Sequence, residues 1–335
     1  PQIKQAMHYF KEEWNDNGVE QDWPSLTKIY KASNSLIGAT MWHPFDHQRG
    51  YHPDPFWGGI MDAYRQPKFS YYLLKSLMPS SGLENVPNVD AEPFVFIAHL
   101  MTPFSPEDVV VFTNCDEVRL YAYDKEIGTL KSTSTRSPVP RIPVVFKDIY
   151  RYVDARNKNK KDYGKINQKY NKNATLKAEG IIKGEVVAEH VRWPVGRKHG
   201  IMLKVDHSGV DPLADGSDIT TVVAYLVDAG GAVKRLSDEY IRFTVTGEGE
   251  LIEDNKSAIN PQRLLWGEAV ALVRSTKKPG QVKVRAELIN DGINLPDFGE
   301  IEFTTVSPEY DFSFAEYPQK QASQILINDS QIDYT

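Results

Sequence analysis

The sequence predicts a mainly β protein in which two immunoglobulin-like β-sandwiches follow a shorter segment of βα order. Three observations carry that expectation. The first 80 residues place apolar side chains at helical spacings, the residues from about 90 onward place them at every second position, and Gly- and Pro-rich turns separate the alternating runs. A length of 335 residues suits two or three domains, at roughly 100–200 residues each. A hydrophobic fraction of 41% with 25% charged residues sits near globular averages, which excludes wholesale disorder.

Within residues 1–80, Ala6, Met7, Phe10 and Trp14 fall on one helical face, and Asn17-Gly18 stops that helix. Pro24-Ser25-Leu26 opens a second helix carrying Ile29 and Tyr30. Ser35 to Trp42 reads as a short buried strand, and after a polar, aromatic loop Lys68 to Leu77 forms an amphipathic helix. A linker over 79–92 follows.

From there the period is two. Val109 to Phe112 leads through Asn114-Cys115-Asp116 to Val118–Tyr123, two strands around a tight polar turn. Val144–Phe146, Glu185–Val187 and Gly200–Val205 extend the pattern, and residues 85–208 are taken as the first sandwich. A basic insertion, 151–177, interrupts it with Lys158, Lys160, Lys161, Lys165, Lys169 and Lys172, interleaved with Tyr152, Tyr163 and Tyr170. Such a run suits either a polyanion or a solvated loop, and the acidic remainder of the chain favours the loop. Residues 209–308 form the second sandwich. There Thr221–Asp228 runs into Ala229-Gly230-Gly231, and Val282, Val284, Ala286 and Leu288 alternate with polar neighbours after Lys278-Pro279-Gly280. Residues 309–335 read as a polar tail.

A net charge of −6 gives no overall attraction to nucleic acid or acidic lipid, so neither is an expected partner. No run approaches the ~20 apolar residues that cross a bilayer. One cysteine, Cys115, excludes an internal disulfide and a cysteine-based zinc cluster. No signal peptide is visible at Pro1–Lys4, no nucleotide loop or Ser-His-Asp arrangement stands out, and no cofactor is expected.

The densest chemistry lies in Met41–Gly59. His43, His47, His52, Asp46 and Asp54 invite a metal, but their order is not that of a helical His-Glu-x-x-His pair, and the prolines prevent a helix from aligning them. A structural loop with an aromatic core is a second reading. A sugar site is the third: aromatic faces such as Trp42, Phe45 and Trp57 stack on pyranose C–H surfaces. His43, Asp46, His47 and Arg49 would bind hydroxyls through charge-assisted bonds. Trp193 and Trp266 would mark a binding face if exposed, or sandwich core if buried.

The run Gly38–His47, followed by Gly59-Ile60-Met61-Asp62-Ala63-Tyr64-Arg65-Gln66-Pro67-Lys68 and the pair Tyr71-Tyr72, resembles the last βα unit of glycoside hydrolase family 2. In that family a strand ends in Gly-x-x-x-Trp-x-x-x-Asp, matched by Gly38, Trp42 and Asp46. A loop then reaches Gly-(Ile/Leu)-x-Asp-x-x-Arg-x-Pro-Lys, matched by Gly59, Asp62, Arg65, Pro67 and Lys68. Thr113–Val118 resembles the sandwich after the barrel of β-galactosidase-like members, and Trp266–Ser275 with Pro279-Gly280 resembles their last Ig-like domain.

The resemblance implies that residues 1–80 complete a (β/α)8 barrel and that the chain is the C-terminal part of a retaining glycosidase. Its substrate would be an oligo- or polysaccharide and its partner the N-terminal part of the same enzyme; the sequence leaves homo-oligomerisation open. Retaining enzymes use two carboxylates about 5 Å apart; in this family both glutamates precede the Trp strand, so no catalytic residue is expected here and the chain alone is expected to be inactive. Trp42 would form the floor of the sugar subsite, with Asp46 and His43 at its rim. The uronate-binding Asn-x-Lys of β-glucuronidases is replaced by Phe56-Trp57-Gly58, which favours a β-galactosidase-type activity. By family habit the location would be periplasmic or extracellular.

Overall fold

The computed structural model describes residues 43–47, 50, 58–83, 85–86, 91–133, 141–160, 174–206, 209–252, 260–289 and 298–309. The helices expected before residue 35 and the strand ending at Trp42 lie outside them, as does the tail after 309. Of the expected βα segment, the described residues hold one helix, α1 (Phe69–Lys75), and the turn that precedes it. Phe69 and Leu73, one helical turn apart, share the buried face of α1, and Ser76 ends it by donating from Oγ to the Leu73 carbonyl at 2.5 Å.

The first sandwich faces two sheets. One is β1 (Val95–Ile97), β2 (Val109–Thr113) and β5 (Val144–Phe146), in the order β1-β2-β5. The other is β3 (Glu117–Ala122), β4 (Lys125–Lys131), β6 (Leu176–Ile182) and β7 (Glu185–Arg192), in the order β4-β3-β6-β7. All pairings are antiparallel. The apolar run in β2 is buried at every position. Val109 and Val111 face the other sheet, while Val110 and Phe112 face outward into a second cluster with Phe69, Leu73, Phe96 and Trp266. A continuous apolar strand is what burial on both faces requires.

The polar turn after β2 does not close a hairpin. It carries the chain from one sheet to the other, because β2 pairs with β1 and β5 while β3 pairs with β4 and β6. Side chains hold this corner: Thr113 Oγ1 donates to the Phe94 carbonyl at 2.6 Å, and Asn114 accepts from Phe94 N and donates to the Glu92 carbonyl. The insertion also departs from expectation at both ends. It opens as α2 (Tyr152–Lys160), which buries Ala155 in the sandwich core, and Lys177 belongs to β6, paired with Glu179 at 2.6 Å.

The second sandwich packs β8 (Lys198–Asp206), β9 (Ile219–Asp228), β11 (Gly249–Leu251) and β13 (Glu268–Ser275) against β10 (Tyr240–Gly247), β12 (Gln262–Arg263), β14 (Gly280–Ile289) and β15 (Phe298–Thr305). The orders are β11-β13-β9-β8 and β12-β10-β14-β15. β8, expected in the first sandwich, is hydrogen-bonded along its length to β9, so the sandwiches meet at 193–197 rather than near 208. The alternation in β14 is as expected, with Val282, Val284, Ala286 and Leu288 buried. Trp266 is 5% exposed and reaches away from this sandwich into the cluster with α1. Gly267, at φ 78°, makes that departure feasible, since a Cβ there would stand 2.3 Å from the Lys234 carbonyl oxygen.

β1 is an edge strand, and its last residue is paired by side chains of β7. Ile97 N donates to His190 Nδ1 at 3.0 Å, and Arg192 Nε donates to the Ile97 carbonyl. His190 is therefore a neutral acceptor at Nδ1, and burial holds its pKa down, to about 3. His99 is equally committed, accepting from Met101 N at Nδ1 and donating from Nε2 to the Pro106 carbonyl; burial lowers it to about 4.

Phe96 stacks on Tyr72 at 3.7 Å and on His190 at 5.0 Å, and meets Phe69 edge-on. Phe96→Ala is expected to cost roughly 3–5 kcal/mol of unfolding free energy, measured by urea denaturation. Because both histidine pKa values lie below the ordinary 6.5, the unfolded chain binds more protons across that window. Their contribution to stability is complete above pH 6.5 and is lost as pH falls toward 4 and 3. Thermal melts from pH 7 to pH 4 should show a loss on the order of 2–3 kcal/mol per imidazole, and His190→Gln should flatten the slope.

Candidate functional site: a locked turn beneath a pair of imidazoles

Two short stretches cross at the end of the expected Trp strand. Phe45 and Met61 form a parallel bridge, with Met61 N donating to the Pro44 carbonyl and Asp46 N to the Met61 carbonyl, both at 3.0 Å. The chain then reverses over 62–66. Asp62 Oδ1 accepts from Tyr64 N and Gln66 N at 2.8 Å each, and Arg65 sits at φ 66°. The reversal returns Lys68 alongside Ile60, where its N–H is bonded.

Lys68 Nζ reaches Asp46 Oδ1 at 2.6 Å, with the two side chains 0% and 4% exposed. Gly59 N donates to the same oxygen at 2.9 Å. A Cβ on Gly59 would lie 2.4 Å from Asp46 N and from the Phe45 carbonyl carbon, so only glycine permits this approach. Burial pushes the Asp46 carboxyl above its ordinary pKa, opposed by Lys68, the Gly59 N–H and His43. The pair ties the strand end to the start of α1.

His43 is buried beside it. Its Nδ1 lies 2.6 Å from the Phe45 carbonyl and, facing an acceptor, carries the proton. Its ring meets that of exposed His47 edge-on at 4.5 Å. Of the residues expected to bind sugar, His43, Asp46 and His47 are thus brought together, while Trp42 and Arg49 lie outside the described residues. The Asp46 carboxylate is bonded within the protein, to Gly59 N and Lys68 Nζ. Beside it lie the two imidazoles and the Phe45 ring, over which Arg65 stands at 5.2 Å.

The turn is braced against the second sandwich. Gln66 Nε2 donates to Asp206 Oδ2 at 3.0 Å, and Tyr225 OH lies 3.4 Å from Gln66 Oε1. Burial raises Asp62 to about 6, with the Glu268 carboxylate adding to the rise against the N–H of Gln66. Glu268 is in turn paired with Arg235 at 2.7 Å. Burial, then Glu268, also raises Tyr225. A cleft of about 530 Å³ opens here, lined by Phe45, Tyr64 and Arg65 on one side and by Asp206, Thr220 and Thr221 on the other. The family resemblance singled out Gly59, Asp62 and Lys68 without the contacts they make; Asp206, Tyr225 and Glu268 depend on contacts more than 130 positions away and had no local signal.

Residues 201–290 match the model of the glycoside hydrolase family 2 C-terminal domain 5. The chain carries the C-terminal region of a glycoside hydrolase family 2 protein. It is 30% identical over 272 residues to a β-galactosidase of Thermoanaerobacter pseudethanolicus, covering 78% of this chain and 33% of that protein. It is 26% identical over 263 residues to a β-glucuronidase of Formosa agariphila, covering 76% of this chain and 22% of the relative. The chain therefore spans a third or less of the length of these family 2 relatives. A β-glycosidase of Bacteroides vulgatus shares its fold, with a TM-score of 0.55 and 20% identity over 79% of this chain and 30% of that structure.

Removing the ammonium alone should be more harmful than removing the pair. Lys68→Ala is expected to cost about 3–5 kcal/mol, because it leaves a buried carboxylate uncompensated. Lys68→Met combined with Asp46→Leu should recover most of that loss; both are read by chemical denaturation.

Proposed function

We propose that this chain is the C-terminal part of a retaining exo-glycosidase of β-galactosidase type, which releases β-linked sugars from oligo- or polysaccharides. The observation that carries the proposal is the locked turn. The Asp46–Lys68 pair and the Gly59 contact fix the segment that follows Trp42 in sequence, and they do so with residues through which the sequence resembles the family. A sugar subsite needs that rigidity, because a stacking ring displaced by about 1 Å loses much of its transition-state advantage.

In this reading Trp42 forms the floor of the subsite, and His43 and His47 face sugar hydroxyls. Asp46 is a positioning residue whose carboxylate holds the loop. Arg49 would add a charged donor at the rim. The two catalytic carboxylates come from the N-terminal part of the whole protein, so this chain alone turns nothing over. The β-galactosidase assignment is supported by the identity with the Thermoanaerobacter enzyme and by Phe56-Trp57-Gly58 in place of a uronate-binding lysine.

The test is hydrolysis of aryl β-galactoside and aryl β-glucuronide by the whole protein. The galactoside should be cleaved with retention of configuration and the glucuronide should not; the reverse preference would overturn the substrate assignment. Trp42→Ala should lower kcat/KM roughly a hundredfold, the worth of one stacking platform in the transition state. Unchanged turnover would remove Trp42 from the site.

A further inference from the structure

A second concavity lies where the two sandwiches meet, and none of its lining comes from the 43–76 segment. The loop between β1 and β2 (Leu100–Pro103), the end of β7 with the linker beyond it, and the loop after β9 enclose a cleft of about 380 Å³. That volume suits one or two sugar rings, at the small end of the roughly 300–1,000 Å³ of ligand sites.

The lining is chemically selective. Trp193 and Tyr152, both half-buried, contribute aromatic surface, and Arg192, Lys234 and Arg235 contribute three cationic groups. No carboxylate is among the described lining residues, in a chain whose net charge is −6. Arg192 is set by its stack over Phe96 at 5.0 Å and its bond to the Ile97 carbonyl. Lys234 is held by the Gly196 carbonyl at 2.9 Å and Arg235 by Glu268. These cations are therefore preorganised by the fold, which lowers the entropic cost of meeting an anion. Tyr152 also opens α2, the entry to the Lys-rich stretch that the glycosidase reading leaves unused.

We propose that this inter-sandwich cleft is an accessory, non-catalytic site for an acidic saccharide, a sugar unit bearing a carboxylate or sulfate, stacked on Trp193 and held by Arg192 and Lys234. That the ligand is a saccharide rests on the glycosidase reading; that it is anionic rests on the lining alone. Bound there, an acidic unit of a polymer would keep the chain on its substrate and raise its effective concentration at the catalytic centre.

The test is binding to the 335-residue chain, which requires no turnover and so separates this proposal from the glycosidase reading. Tetragalacturonate and a sulfated galactotetraose serve as acidic probes, with neutral β-1,4-galactotetraose and AMP as comparisons. Binding is followed by calorimetry and by tryptophan fluorescence. At least one acidic probe should bind about tenfold more tightly than the neutral one, as a charge-assisted contact would give, and which acidic probe binds identifies the anionic group. Lys234→Gln and Arg192→Gln should each weaken that binding about tenfold. Trp193→Phe, chosen to keep a ring and the fold, should remove most of the fluorescence change, and unaltered melting curves would show that the variants are folded. Equal binding of the neutral probe would overturn the charge selection, and equal binding of AMP the saccharide class. No binding, or binding indifferent to all three variants, would overturn the site while leaving the hydrolysis test of the whole protein standing.

Discussion

The structure depends on one sheet being buried on both faces. β1, β2 and β5 form one wall of the first sandwich, and their outer surface is closed by α1 and by Trp266 from the second sandwich. Phe96 is the centre of this junction, touching Tyr72 and Phe69 of the helix, His190 of the opposite sheet, and the Arg192 guanidinium. Three parts of the chain that are distant in sequence thus share one apolar cluster. Area removed from water contributes roughly 25 cal/mol per Å², and burying large aromatic rings here joins parts that would otherwise be strung on linkers.

At the sheet edge and in the turn before α1, buried polar groups are held by specific partners. The Ile97 N–H and carbonyl at the sheet edge are matched to His190 and Arg192, so the edge presents no unpaired amide there to another chain. The Lys68 ammonium is matched to Asp46, and the Asp62 carboxylate to two backbone N–H groups. The signs of the titrations differ accordingly. The buried imidazoles favour neutral and higher pH, whereas Asp62, raised from 3.8 to about 6, costs stability above pH 6 and returns it as it is protonated below.

How much of this was legible in the sequence varies with the range of the interaction. The alternation in β14 is local and marks its buried face, whereas the apolar run in β2 marks a strand without telling that both of its faces are covered. β8 went to the wrong sandwich because its own pattern does not identify its neighbour; pairing with β9 does. β10 and β15 had a readable alternation, with Ile241 and Phe243 between polar residues, and were not assigned. Trp193 and Trp266 looked equivalent as sequence, yet one lines a cleft and the other is core. In the site, the family resemblance singled out Gly59, Asp62 and Lys68, whereas the geometry of the turn and the brace from Asp206 and Tyr225 required the fold.

The stretch between α1 and β1 joins the helix to the first sandwich, and on paper it is the natural place to divide the chain. The cluster around Phe96 makes it a poor one. A fragment ending there would carry Phe69 and Leu73 without the sheet that covers them, and a fragment beginning there would expose Phe112 and Trp266 to solvent. Sequence adjacency and mechanical separability part company at this joint. Exchanging what precedes this joint between relatives is a matter of recutting α1 together with β1, β2, β5 and the Trp266 turn, so the exchangeable unit is a surface rather than a stretch of chain.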